Sequence, residues 1–144
     1  VITGAVLSTA LLGVSSEAHA QRSRGIDVSA WQGNVNWSQV RGSGIDFAFI
    51  RATRGGTTGT YNQSTQQGTL SHRYDDPFTA QNVAGARANN ILPGVYHFAR
   101  ADLATNTGLD EANHFLEMAQ QYMRPGHLRP VLDIEAGSQR TRAA

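Results

Sequence analysis

The chain has 144 residues, 40% of them hydrophobic and 16% charged, no cysteine and a formal net charge of +1. One ordinary domain fits this length, whereas a complete eight-stranded β/α barrel needs roughly 200 residues or more. The composition excludes intrinsic disorder, and the near-neutral charge gives no electrostatic case for nucleic acid or an anionic membrane surface.

In chain order, an apolar run from Val1 to Val14 is followed by a polar stretch and Ala18-His19-Ala20, an A-x-A cleavage pattern. Residues 1–20 therefore read as a secretory signal peptide, with the mature chain starting near Gln21 and its location secreted or extracellular. The run is too short and too rich in Ser and Gly for a stable membrane span, so no membrane partner is expected after cleavage. A basic n-region does not precede it, and a few further residues are expected upstream. Without cysteine, export brings no disulfide framework.

From Gly25 onward short apolar runs alternate with helical periods. Gly25 to Ser29 predicts a strand, Asn36 to Arg41 a short helix capped by Asn36 and stopped by Gly42 and Gly44, and Asp46 to Ala52 a second strand. Thr53 to Asp76 has no clear period and predicts a long surface loop. Asp76-Pro77 predicts a helix start, with Asp75-Asp76 as turn and cap and the helix running to about Asn89. Gly94 to Ala99 predicts a third strand. Thr107 with Asp110 approximates a capping box, opening a helix whose stripe of Ala112, Phe115, Leu116, Ala119, Tyr122 and Met123 suits a core face. Pro125-Gly126 stops it, and Pro130 to Glu135 predicts a fourth strand. Repeated strand–helix units imply an α/β fold with parallel strands, whose sites lie at the carboxyl ends of the strands.

That last strand carries two acids, Asp133 and Glu135, at i and i+2. Both project to one face while Ile134 points to the other. Acids in a core strand are costly to desolvate unless paired, hydrogen-bonded or open to a cleft, so this pair marks a candidate site. Paired carboxyls suit glycoside hydrolysis, with one acid protonating the leaving oxygen and a second charge supporting the oxocarbenium-like centre. Backbone positions about 6.6 Å apart do not separate retaining from inverting geometry, because side-chain splay decides it. A bare D-x-E also fits a divalent-metal site or a structural ion pair.

Asp27, His97, Asp133 and Glu135 all fall late in their strands and are expected to converge on one mouth. Trp31, Tyr96 and Phe98 are candidate faces for sugar rings, with core packing as the competing reading for Trp31 and the preferred one for Trp37. His97 is a candidate substrate contact, set against a packed or hydrogen-bonded role in its strand. His114 is expected on a helix flank; His72 and His127 lie in loops, without partners at metal-ligand spacing.

Four blocks in order, Gly25-Ile26-Asp27-Val28-Ser29-Ala30-Trp31-Gln32-Gly33, Phe49-Ile50-Arg51-Ala52-Thr53, Gly94-Val95-Tyr96-His97-Phe98-Ala99-Arg100 and Val131-Leu132-Asp133-Ile134-Glu135, resemble glycoside hydrolase family 25, the Chalaropsis-type lysozymes or N-acetylmuramidases. The resemblance implies a modified β/α barrel of the TIM type, here its first four strand–helix units, with residues 21–144 as a C-terminally truncated catalytic domain. It implies cleavage of the β-1,4 bond between N-acetylmuramic acid and N-acetylglucosamine, peptidoglycan glycan strands as partner, and no metal or organic cofactor. By the same resemblance Glu135 matches the general acid, Asp133 the acid beside it that steadies the acetamido group or the developing charge, Asp27 the acid ending the first strand, and Tyr96 the pocket tyrosine.

Two departures sit at the second strand. Where the family reads Ile-Lys-Ala-Thr-Glu-Gly, this chain has Ile50-Arg51-Ala52-Thr53-Arg54-Gly55, which reverses a charge near the mouth and alters substrate contacts. The loop after Gly55 looks longer than usual and is expected to add a rim or lid. Two other functions remain open at this point: a non-catalytic or vestigial glycan-binding module, and a metal-dependent hydrolase with Asp27, Asp133 and Glu135 as oxygen ligands, which the lack of a nearby histidine pair disfavours.

Overall fold

The structure is a computed structural model that describes residues 22–135. The expected signal peptide, and with it the cleavage site, lies outside the described residues. Strands β1 (Gly25–Val28), β2 (Phe47–Arg54), β6 (Leu92–Phe98) and β7 (Val131–Asp133) form a parallel sheet in the order β1-β2-β6-β7. Helices α1 (Trp37–Gly42), α2 (Thr79–Ala88) and α3 (Gly108–Ala119) fill the three crossovers. The described residues thus hold four parallel strands and three intervening helices. Among them no helix is long and apolar enough to cross a membrane.

The core lies between the sheet and its helices. Ala48, Ile50 and Ala52 alternate along β2 and meet Val83 and Ala86 of α2, Val95 of β6, Trp37 of α1 and Ala119 of α3. Trp37 is buried, as its packing role predicts, and its indole N–H donates to Asn82 Oδ1 at 3.3 Å.

Several expectations need correction. Residues 53–76 are not a featureless loop: β2 continues to Arg54, Tyr61–Asn62 (β3) and Gln67–Gly68 (β4) make a hairpin, and Tyr74–Asp75 (β5) adds antiparallel to the end of β2. These strands are too short for a periodic signal, and the hairpin hangs on polar contacts such as Thr60 N–H to Thr69 Oγ1 at 3.2 Å. Asp76 accepts from the Phe78 amide at 3.0 Å, but α2 starts only at Thr79, because the Asp76 carboxylate is drawn into the sheet by Arg51.

The expected stripe on α3 holds in part: Ala119 is in the core and Phe115, Tyr122 and Met123 pack against it, but polar residues share the inward face. Glu111, His114 and Ala119 are buried, whereas Ala112 and Leu116 are exposed. Polar residues face inward here because the sheet beneath them offers hydrogen-bond partners. His114, expected on a flank, is fully buried, with Nδ1 2.7 Å from the Gly55 carbonyl and Nε2 2.6 Å from Asp75. Gly55 must be glycine: its φ is 70°, and a Cβ would lie 2.3 Å from the Ser71 carbonyl oxygen. Thr107 caps α3 as expected, but Asp110 turns away to bond Thr57 rather than closing the capping box.

Candidate active site

Two cavities flank the carboxyl end of β6, and alternation along that strand assigns residues to each. Tyr96 and Phe98 face a polar cleft of about 370 Å³, while His97 faces an apolar hollow under α3 lined by Phe115, Leu132 and Ile134. The cleft brings together Asp27, Trp31, Tyr96, Phe98, Asp133 and Glu135. His97 is the one candidate it leaves out. Its ring is buried between Thr53 Oγ1, 2.7 Å from Nδ1, and Glu111 Oε2, 3.1 Å from Nε2. An ionised Glu111 only accepts, so Nε2 donates to it, and in the neutral ring Nδ1 then accepts from the Thr53 hydroxyl.

Asp27 is the penultimate residue of β1 and Asp133 ends β7, the two outer strands of the main parallel order. On a flat sheet three strand spacings would separate them by about 14 Å. Both nevertheless line one cleft, so the sheet curls with this face concave. Burial, with Glu135 and Asp27 close by, pushes the Asp133 carboxyl above its ordinary range. Burial and the neighbouring Asp27 and Asp133 carboxylates drive the Tyr96 phenol up to about 12 despite Arg51, so it remains a hydrogen-bond donor at neutral pH.

A short turn after β1 sets Trp31 on the rim. Ser29 and Gln32 form a reciprocal capping box across it, with the Ser29 amide donating to Gln32 Oε1 at 2.7 Å, and Trp31 stays 56% exposed. Asp76 ties this turn to the sheet: its Oδ2 accepts from the Ala30 amide at 2.8 Å and from Arg51 Nε at 3.0 Å. Arg51 in turn reaches Gln63 of the hairpin. One buried ion pair therefore aligns the Trp31 turn, β2 and the hairpin around the cleft.

Sequence reasoning missed the residues brought by the hairpin, Tyr61 and Gln66, and the depth of Arg54. Tyr61 sits in a segment with no periodic signal. Arg54 enters through a β-bulge: the register runs Arg51↔Tyr96, then Thr53↔His97 and Arg54↔Phe98. The extra residue, Ala52, turns Thr53 toward His97 and swings Arg54 into the cleft beside Arg51. Among the described residues no group of three or more His, Cys, Asp or Glu side chains is arranged to hold a metal ion.

Carboxylates and aromatic faces gathered at the carboxyl ends of parallel strands place the chain among the α/β proteins that carry their site at that end of the sheet. The family model for Glycosyl hydrolases family 25 matches residues 26–71 and 63–144, and the chain belongs to that family. It is 37% identical over 113 residues to lysozyme M1 of Streptomyces globisporus, covering 78% of this chain and 32% of that relative. It is 30% identical over 114 residues to an N,O-diacetylmuramidase of Chalaropsis sp., covering 78% and 47%. Among solved structures, a bacterial lysozyme from Streptomyces coelicolor superimposes with a TM-score of 0.59 at 32% identity, over 78% of this chain and 45% of that one. A family 25 glycosyl hydrolase from Bacillus anthracis gives 0.60 at 25% identity, over 78% and 42%. The chain thus spans between a third and a half of these relatives' lengths.

Proposed function

We propose that the chain carries the catalytic carboxylates of a peptidoglycan N-acetylmuramidase, a lysozyme-type hydrolase cleaving the β-1,4 bond between N-acetylmuramic acid and N-acetylglucosamine. The observation that carries this reading is the gathering of Asp27, Asp133 and Glu135, from the two outer parallel strands, in one aromatic-flanked cleft. In this reading Glu135 protonates the leaving oxygen, and Asp133 and Asp27 supply negative charge facing the developing oxocarbenium centre. Tyr96 donates its phenolic proton as a hydrogen bond to the bound sugar. Trp31 and Phe98 offer ring faces, and His97 acts behind the sheet rather than on substrate.

The proposal extends to architecture and location. The curl of the sheet supports a barrel of the TIM type. Val131, Leu132 and Ile134 remain substantially exposed, and an apolar hollow lies between β7 and α3, as suits a strand awaiting a further barrel neighbour. Residues 21–144 would belong to this catalytic domain and residues 1–20 to a leader directing it outside the cell, where its substrate lies.

Clearing of a purified cell-wall suspension, with and without a chelator, tests the reading. The lysozyme clears walls whether or not chelator is present, and Glu135→Gln does not clear them. Chelator-sensitive clearing would assign the acids to a metal, and wall binding without clearing would make the chain a glycan-binding module.

A further inference from the structure

We infer that Arg54 is the anion-reading residue of this cleft, its guanidinium taking a carboxylate carried by the O3 substituent of a muramyl sugar. That carboxylate is either the free lactyl acid of a bare glycan strand or an acid on the attached stem peptide. The inference rests on the muramidase reading and names the group that its cleft selects.

The residue's surroundings lead there. Arg54 is only 8% exposed, and its Nη1 is buried without a hydrogen-bond partner among the described residues. Its neighbours differ: Arg51 is paired with Asp76 at 3.0 Å and Arg100 with Asp102 at 2.7 Å. Asp102, the carboxylate that acts on Arg54, is thus already engaged. Burial lowers Arg54 to about 10, which still leaves it a cation at neutral pH. A buried cation with an unpartnered N–H and only a shared counter-charge is costly, and a ligand carboxylate removes that cost.

The shape of the site suits a carboxylate. The guanidinium carbon lies 3.5 Å from the centre of the Tyr61 ring and 5.4 Å from that of Phe98, so aromatic rings lie against the planar group while its Nη1 is left without a partner among the described residues. A planar fork held in this way matches the two oxygens of a carboxylate. Position supplies the identity of the group. Arg54, Phe98 and Asp133 stand in register on three adjacent strands, which puts Arg54 about 10 Å from Asp133 along the sheet. A saccharide lying over Asp133 and Glu135 brings its ring substituents within reach of that guanidinium. The O3 substituent is what distinguishes muramic acid from N-acetylglucosamine, and it carries the negative charge.

Binding, measured in a Glu135→Gln background so that strands are not cut, tests this. The probes are glycan strands stripped of stem peptides, the same strands with lactyl carboxyls capped as methylamides, and strands with intact stem peptides. With Arg54 present, stripped strands are expected to bind about 10- to 100-fold more tightly than capped ones. Arg54→Met erases that preference and Arg54→Lys keeps part of it. If Arg54→Met weakens binding only to intact strands, the carboxylate belongs to the stem peptide. Equal binding of capped and stripped strands, together with an Arg54→Met variant unchanged on intact strands, would overturn the inference and leave the muramidase reading standing. No binding to any muramyl strand overturns both. The capped-against-stripped comparison needs no substitution at Arg54, so a folding defect in the variant does not blunt it.

Discussion

Strand β6 separates two polar regions that resemble each other in composition and differ in saturation. Behind it, the charges close on one another: Glu111 accepts from His97, from Asn106 Nδ2 at 2.7 Å and from the Arg100 amide at 2.9 Å. In front of it, Asp133 is pushed toward protonation by burial and like charges, and a buried nitrogen of Arg54 has no hydrogen-bond partner among the described residues. The difference separates two uses of buried polarity. A satisfied network stiffens the sheet, whereas unsatisfied groups hold free energy that a ligand or transition state can release.

Exchanging the two behaviours would break this comparison, and the largest effect belongs to the cleft. Glu135→Gln is expected to lower wall lysis roughly 10²–10⁴-fold with its thermal melt unchanged, because the amide keeps the shape but delivers no proton. Near-normal clearing by this variant removes Glu135 from the acid's role.

Glu111→Ala should do the reverse, costing about 2–4 kcal/mol of stability by stranding His97, Asn106 and the Arg100 amide, while the folded fraction keeps its turnover. Burial opposes ionisation of Glu111, but the hydrogen bonds from His97, Asn106 and Arg100 outweigh it and hold the carboxyl below its ordinary range. Its stabilisation is therefore present above the unfolded-state pKa and lost as pH falls through the lower folded value. Denaturant titrations at descending pH should show a loss on the acid side that Glu111→Gln lacks.

Asp133→Asn sharpens the contrast by carrying the opposite sign. The folded pKa of Asp133 is raised, so the native state is destabilised as pH rises from the unfolded value through the folded one, and the cost persists at neutral pH. The Asn variant should melt higher than wild type at pH 7, converge with it in acid, and turn over more slowly. An unchanged melt at pH 7 would place Asp133 in the satisfied class. Trp31→Ala has the smallest expected effect, roughly 2- to 10-fold in glycan affinity with little change in melting, since the ring is exposed and contributes a face rather than a charge.

Much of the cleft was legible from local rules. Alternation places Asp133 and Glu135 on one face and Ile134 on the other, as the lining of the two cavities shows. The ordered blocks around Asp27, Tyr96 and Glu135 identify the family, which the matched residues establish. For His97 the structure bears out the packed, hydrogen-bonded reading and not its place at the mouth: one position along β6 separates the cleft from the layer under α3, and alternation sets it opposite Tyr96. The stripe on α3 was legible at Phe115, Ala119, Tyr122 and Met123 but not where Glu111 and His114 turn inward, since apolar periodicity assumes an apolar partner and here the sheet offers Thr53, Gly55 and Asp75 to bonded polar groups.

The sequence by itself determined the parallel α/β order, the carboxyl pair at and just past the end of β7 and the aromatic turn after β1, since each depends on periods and caps spanning a few residues. Tertiary structure alone decided how far the sheet curls to bring Asp27 toward Asp133, and where β2 bulges. Strand alternation would put Arg54 on the face opposite Arg51, three positions away. The extra residue at Ala52 reverses that parity and turns a cation into the cleft, an outcome set by pairing with β6 rather than by any residue in the segment alone.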